Sequence, residues 1–419
     1  MLTLHKKLQK DVNDLNIDQV CYNIDKLYKE LIHIDIYTGP IFDRVIIDEA
    51  NSIKISNCGY AYSKITWFIT SSLGDLFYPN GSWTGNKHID GIKRTGFIKN
   101  RKVARSLMRK TCLDMVYELA KKNKKIIFVG SDLGVGVLDK MYKKIPKQFL
   151  MEGISEQNLV GVSAGLSMNG LKPYVNTIGT FLTRRCFEQI VIDLGLHDLP
   201  VTLIGNGGGG VYGSLGPTHT SLDDFAILRS VPNMTIIAPS DPEEMKNIIY
   251  ESVKYKHPIY IRFGLGGEKK IFVKKQKFKI GKGIFIKKLE DLNIISTGSI
   301  TQEAVQIANF FKKIYNINIG LLHIGTVKPL DKQKVKEVVK KGKKIAIIEE
   351  HYENGGLGSL VLETCVKNNI KVDNKIKLFG IPNKFQKCYG KHDIIKKYWG
   401  LDINSLVSKL KKFYEIKRK

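Results

Sequence analysis

Arginine is scarce in this 419-residue chain: ten arginines stand against 57 lysines, although Lys+Arg exceed Asp+Glu by 27. Bidentate recognition of phosphates and bases leans on the guanidinium fork. The lysines are spread along the whole chain. Residues 1–107 carry +4 and the remainder +23, so no basic tail exists. The charge therefore reads as a lysine-rich solvated surface, and no nucleic-acid partner is expected. Long apolar runs are also missing. None approaches the roughly 20 residues that cross a bilayer, and the first residues, MLTLHKKLQKDVND, contain no signal-peptide core. No membrane partner is expected. Six cysteines (Cys21, Cys58, Cys112, Cys186, Cys365 and Cys388) show no C-x-x-C spacing, which argues against a zinc site or a disulfide framework and fits a cytoplasmic location.

What is present from about residue 108 is alternation. KKIIFVGSDLG, PYVNTIGTF, PVTLIGNGG, MTIIAPS and PIYIRFG are apolar runs that end in Gly, Ser or Asn. Helical stretches separate them, among them 155–168 and 243–256. The second of these opens on Asp241-Pro242-Glu243-Glu244, a capping side chain, a proline at the first helical position and acids in the first turn. Such alternation predicts βαβ units and a parallel sheet covered on both faces. A basic stretch over 267–283 reads as a linker. A second series follows with LNIISTGS, NIGLLHIG, KKIAIIEEH and IKLFGIP. The expected fold class is α/β, with two consecutive parallel-sheet domains over 108–272 and 278–419. Residues 1–107 are left unassigned; their first thirty have the spacing of an amphipathic helix.

Three passages carry chemistry. Gly153-Ile154-Ser155-Glu156-Gln157-Asn158 places a carboxylate in the first turn of a helix, where the helix dipole favours it. Gly161 and Gly165, one turn apart, suggest close backbone packing on that helix. Thr180-Phe181-Leu182-Thr183-Arg184 and the segment Gly213–His219, GSLGPTH, follow. On residue type alone Glu156 is an ordinary helix-start acid, Phe181 a core aromatic and Asp132 a turn residue after a strand.

Together with GSDLG, PNMTIIAPSDPEE, TVKPLD and EEHYENGGLGS, these passages resemble the C-terminal half of transketolases. That half comprises a pyrimidine-binding domain and a C-terminal domain, a plan shared by deoxyxylulose-phosphate synthases and 2-oxoacid dehydrogenase β subunits. The resemblance implies thiamine diphosphate catalysis. It implies that Glu156 hydrogen-bonds the aminopyrimidine ring and drives its tautomer switch, and that Phe181 stacks on that ring. Ile178, Arg184, Asp132 and Leu133 match positions lining the same cofactor pocket, and His219 matches the histidine facing the substrate's reacting carbon.

The match also has gaps. Transketolases carry an Asp at the position of Leu215, a His at that of Gly207, and a phosphate-binding Arg at that of Leu265; the nearby Arg262 is the expected replacement in substrate binding. Each charged hydrogen bond lost is worth about 1.5–3 kcal/mol, so an aldose phosphate should bind poorly. The G-D-G signature of the diphosphate-binding domain is absent, and the nearest string, Ser72-Leu73-Gly74-Asp75-Leu76, lacks its second glycine. The resemblance thus implies a C-terminal subunit of a split enzyme that transfers a two-carbon ketol unit between sugars. A separate N-terminal, diphosphate-binding subunit would complete the site in an α2β2 assembly and would hold most of the Mg2+. Thiamine-dependent acyl transfer or 2-oxoacid decarboxylation, and a non-catalytic regulatory role, are the alternatives.

Overall fold

The computed structural model describes residues 45–48, 66–69, 107–131, 138–264, 270–272 and 278–416. Two compact units divide at Val103 and Ala104. In the first unit, strands β1 (Val45–Asp48) and β2 (Thr66–Ile69) pair in parallel. The amphipathic helix expected in the first thirty residues lies outside the described residues.

The second unit holds two α/β domains. The first contains β3 (Ile126–Gly130), β4 (Phe149–Met151), β5 (Lys172–Ile178), β6 (Thr202–Asn206), β7 (Thr235–Ile237) and β8 (Ile259–Phe263). Its helices are α1 (Leu107–Lys122), α2 (Asp139–Lys144), α3 (Glu156–Met168), α4 (Asp224–Arg229) and α5 (Pro242–Lys254). The six strands pair in parallel in the order β7-β8-β6-β5-β3-β4. Alternate residues face opposite cores, as a period of two demands. Val129, Val175 and Leu203 pack on one side with Leu159 and Leu228; Phe128, Tyr174 and Ile204 pack on the other with Leu113 and Ile248. Burial on both faces explains why these strands read as continuous apolar runs. The predicted start of α5 forms as expected, with Asp241 Oδ1 accepting from the Glu244 amide at 2.8 Å. Asp241 Oδ2 also accepts from the amides of Ile271 and Phe272, which pins part of the linker to the same helix.

The second domain contains β9 (Ile284–Lys287), β10 (Leu292–Ser296), β11 (Gly320–His323), β12 (Thr326–Lys328), β13 (Lys344–Tyr352) and β14 (Ile376–Ile381). Helices α6 (Thr301–Tyr315), α7 (Lys332–Lys341), α8 (Leu357–Val366), α9 (His392–Trp399) and α10 (Ile403–Phe413) accompany them. Its sheet runs β14-β13-β10-β11-β9, parallel except for β9. Strand β12 leaves this sheet and pairs antiparallel with β7, adding a seventh strand to the first domain. The short run TVK therefore stitches the two domains together.

Charges buried between the domains complete the seam. Asp224, fully buried, accepts from Tyr260 Oη at 2.8 Å and faces Arg262 Nε at 3.4 Å. The Arg262 guanidinium lies 4.5 Å over the Phe225 ring and donates to the carbonyl of Glu350. His351 stacks on Phe225 with ring centres 5.0 Å apart, donates from Nδ1 to the Tyr352 carbonyl and accepts at Nε2 from the Ala226 amide. Burial and then the Arg262 charge push its imidazole down to about 3, which suits a ring that must stay neutral. Glu350 accepts from His392 Nε2 at 2.5 Å and from the Gly210 amide at 2.9 Å. A second buried pair, Glu244 with His323 Nε2 at 2.9 Å, joins α5 to β11.

Burial alone would raise the Glu350 carboxyl, but His392, Lys396 and the Gly210 amide outweigh it and hold it at about 2, down from 4.5. A depressed folded-state value stabilises above the unfolded value and is lost as pH falls through the folded one. Denaturation of the full chain in urea should therefore show roughly 3 kcal/mol of stability lost between about pH 5 and 2 through this group. Glu350→Gln should lack that component. An identical pH profile in the variant would show that the seam does not depend on the ionised Glu350.

Candidate functional site

The site forms at the carboxyl ends of β4, β5 and β6, beside the point where strand order reverses at β3, the usual place for a ligand in an open parallel sheet. After β4 the chain turns through Gly153-Ile154-Ser155, and α3 starts at Glu156, whose side chain is 3% exposed. A Cβ on Gly161 would make only an ordinary contact, 3.9 Å from Asp193 Oδ2, and one on Gly165 would meet nothing within 4 Å, so the expectation of close backbone packing at these two glycines is corrected. After β5, Gly179 and Thr180 lead into a wide π-helical turn, Phe181–Arg185. A Cβ on Gly179 would lie 3.1 Å from Ser221 Oγ and Tyr260 Oη, so glycine lets the following loop close over the strand end. That loop runs from the glycines at 207–210 through Gly213–His219 back to α4.

Glu156, Phe181 and His219 come together. Phe181 and His219 are edge-on, with ring centres 5.0 Å apart at 66°. Burial first and the Arg185 charge second hold the His219 imidazole below its usual range. At neutral pH it is an uncharged ring, with Thr218 Oγ1 2.9 Å from Nδ1. Arg185, which no motif in the sequence marks, closes the group. Its Nη1 lies 2.5 Å from Glu156 Oε2, and its guanidinium carbon sits 4.5 Å over Phe181. The arrangement accommodates a planar, nitrogen-bearing ring stacked on Phe181 with a polar edge towards Glu156, because a planar guanidinium already makes both contacts.

Other expected residues fall differently. Ile178 is half-buried at the end of β5. Asp132, Leu133 and Leu265 lie outside the described residues. Arg184 is engaged with Asp223 through Nε to Oδ2 and Nη2 to Oδ1, both at 2.9 Å. The consecutive arginines were the signal for Arg185. In a turn with i→i+5 bonding, the residue four places beyond Phe181, not three, returns over the ring. Arg262, expected in substrate binding, has its buried guanidinium engaged by Asp224, Phe225 and the Glu350 carbonyl.

The glycine run has a packing reason. Added Cβ atoms at Gly208, Gly209 and Gly210 would meet Arg262, Glu350 and Ile395 at 2.3–2.4 Å. At Gly207 the backbone has φ +77°, and a Cβ would lie 2.0 Å from the Tyr212 ring. Tyr212 thus takes the space a side chain at 207 would need. Leu215, 40% exposed, presents no charge to a substrate. An open groove of about 1210 Å³ on the C-terminal domain is lined by none of the site residues. Among the described residues, no three His, Cys, Asp or Glu side chains cluster as a metal site, and no helix is long and apolar enough to cross a membrane.

Comparison with known proteins matches residues 106–264 to the transketolase pyrimidine-binding domain and 281–406 to the transketolase C-terminal domain. The chain is 34% identical over 296 residues to a subunit of apulose-4-phosphate transketolase from Phocaeicola vulgatus, a match covering 70% of this chain and 93% of that protein. It is 32% identical over 307 residues to a putative transketolase C-terminal section from Methanocaldococcus jannaschii, covering 72% and 95%. A solved split-gene transketolase, described as an inactive β4 tetramer, is 27% identical with a TM-score of 0.67, covering 74% of this chain and 99% of that one.

The glycine seam yields a direct test. Gly207→Ala combines a strained positive φ with a clash against Tyr212 and should cost about 2 kcal/mol or more in thermal unfolding. A change below about 0.5 kcal/mol would show that Tyr212 does not fill this space.

Proposed function

The chain belongs to the transketolase family, and on that premise we propose that it is the C-terminal subunit of a split, thiamine diphosphate-dependent enzyme that transfers a two-carbon ketol unit between sugars. The observation carrying this reading is the meeting of Glu156, Phe181 and His219 at the strand ends of a chain that spans nearly the whole length of two relatives, one described as a transketolase subunit and the other as a C-terminal section. The names of two relatives, a subunit and a C-terminal section, support a separate diphosphate-binding subunit, which would complete an α2β2 assembly and hold most of the Mg2+. The proposed setting is the cytoplasm.

Bound thiamine diphosphate would supply a carbon nucleophile and an electron sink. Glu156 would hold a proton against a ring nitrogen, the helix start orienting its carboxylate. Phe181 would present its face to the aminopyrimidine, with Ile178, Arg184, Asp132 and Leu133 around the ring. His219, neutral at working pH, can take a proton from a substrate hydroxyl near the reacting carbon. Leu215 and Gly207 leave the sugar-recognition side with fewer charged contacts, which favours a donor or acceptor that does not depend on them.

Reconstitution with a diphosphate-binding partner, followed by donor profiling, tests this. Activity on ketoses is expected, and Glu156→Gln should lower kcat by about 100-fold or more. Turnover of pyruvate with none on ketoses would overturn the ketol-transfer reading; full activity in the variant would overturn the role of Glu156.

A further inference from the structure

The Glu156 carboxylate is almost wholly buried, and the cation it meets is Arg185. The same guanidinium lies over Phe181, its carbon 4.5 Å from the ring centre. One side chain therefore makes both contacts that the proposed function reserves for the aminopyrimidine: the stack on Phe181 and the polar bond to Glu156. While Arg185 is seated on Glu156 Oε2 and over Phe181, a second planar group cannot take those same positions. We propose that Arg185 is an internal stand-in for the cofactor's pyrimidine ring, seated on Glu156 and Phe181 in the free chain and displaced to solvent when the cofactor binds. This inference rests on the thiamine reading above.

The physical case has three parts. An uncompensated buried carboxylate is costly, so a chain lacking its cofactor needs a cation at Glu156. A guanidinium is the side-chain group that is both planar enough to stack and charged enough to pair. The exit is short, because the Arg185 side chain is already 42% exposed, and a displaced guanidinium regains water readily. The π-helical turn adds a register that presents Arg185 rather than Arg184 to Phe181, while Asp223 holds Arg184 by two bonds and keeps it from competing. Affinity for the pyrimidine is then reduced by the fraction of chains in which Arg185 is seated.

The test measures binding, not turnover. Calorimetric titration of the full chain with 4-amino-5-hydroxymethyl-2-methylpyrimidine is carried out on the natural chain, Arg185→Gln, Arg185→Ala and Glu156→Ala, each first shown to be folded by its thermal transition. Removing the stand-in should tighten binding about tenfold in both Arg185 variants, and Glu156→Ala should lose binding. Unchanged or weaker binding in both Arg185 variants, with binding still lost in Glu156→Ala, would overturn the stand-in while leaving the thiamine reading intact. Failure of every form to bind the pyrimidine, and of the partner-reconstituted complex to bind thiamine diphosphate, would overturn both.

Discussion

The contact on which the site depends is the buried charge seam centred on Asp224 and Arg262. Two charges taken out of water need partners: Asp224 Oδ2 meets Tyr260 Oη and Arg262 Nε, while Arg262 also lies over Phe225 and donates to the Glu350 carbonyl. The loop bearing His219 runs through this seam. Its start is held where Gly210 donates to Glu350, and its middle where Gly390 donates to the Gly213 carbonyl at 3.1 Å. Its end is held where Tyr352 donates to the Leu222 carbonyl at 2.8 Å. The C-terminal domain contributes none of Glu156, Phe181 and His219, yet it holds the loop on which one of them sits. A substitution in that domain can therefore weaken the site without touching it.

The architecture was legible because buried parallel strands are apolar on both faces. LNIIS, GLLH and TLIGN announce themselves as runs, and Asp241 with Pro242 announces a helix start. Less legible was β12. Three residues, Thr326–Lys328, carry no period, and their choice of β7 as a partner is a long-range decision that local pattern does not encode. At the site, motifs single out Glu156, Phe181, Arg184 and His219 as candidates, whereas no motif in the sequence marks Arg185, which the π-helical turn brings over Phe181. EEHYENGGLGS was read as part of a family match; its physical work emerged only from packing. Glu349 accepts from the amides of Leu357 and Gly358 at the start of α8, Glu350 reaches Gly210, and His351 stacks on Phe225.

The four consecutive glycines show how one sequence signal supports opposite readings. Glycine runs cradle phosphates when their amides converge on an anion at a helix start. Here the amides of Gly208, Gly209 and Gly210 are already engaged by the Phe263 carbonyl, the Ser221 carbonyl and Glu350. Their missing side chains make room for Arg262, Glu350 and Ile395. The run packs against the C-terminal domain, and these three amides are not available to a diphosphate.

The scarcity of arginine acquires a physical meaning in this light. Lysine serves wherever a solvated positive charge is enough, on helices such as α7 and α10 with their exposed amines. The arginines at 184, 185, 229 and 262 sit where a point charge would not do. Arg184 grips Asp223 with two nitrogens, and Arg229 spans Glu363 and the carbonyl of Gly355. Arg185 and Arg262 each stack on a phenylalanine while contacting a carboxylate. Planarity and a fork of donors are what these four places share, and a lysine supplies neither. At these four described places geometry, not charge alone, sets the requirement. Two of those places, 184 and 185, close the turn that begins at Phe181, and there the guanidinium on Glu156 is held by shape as well as by charge.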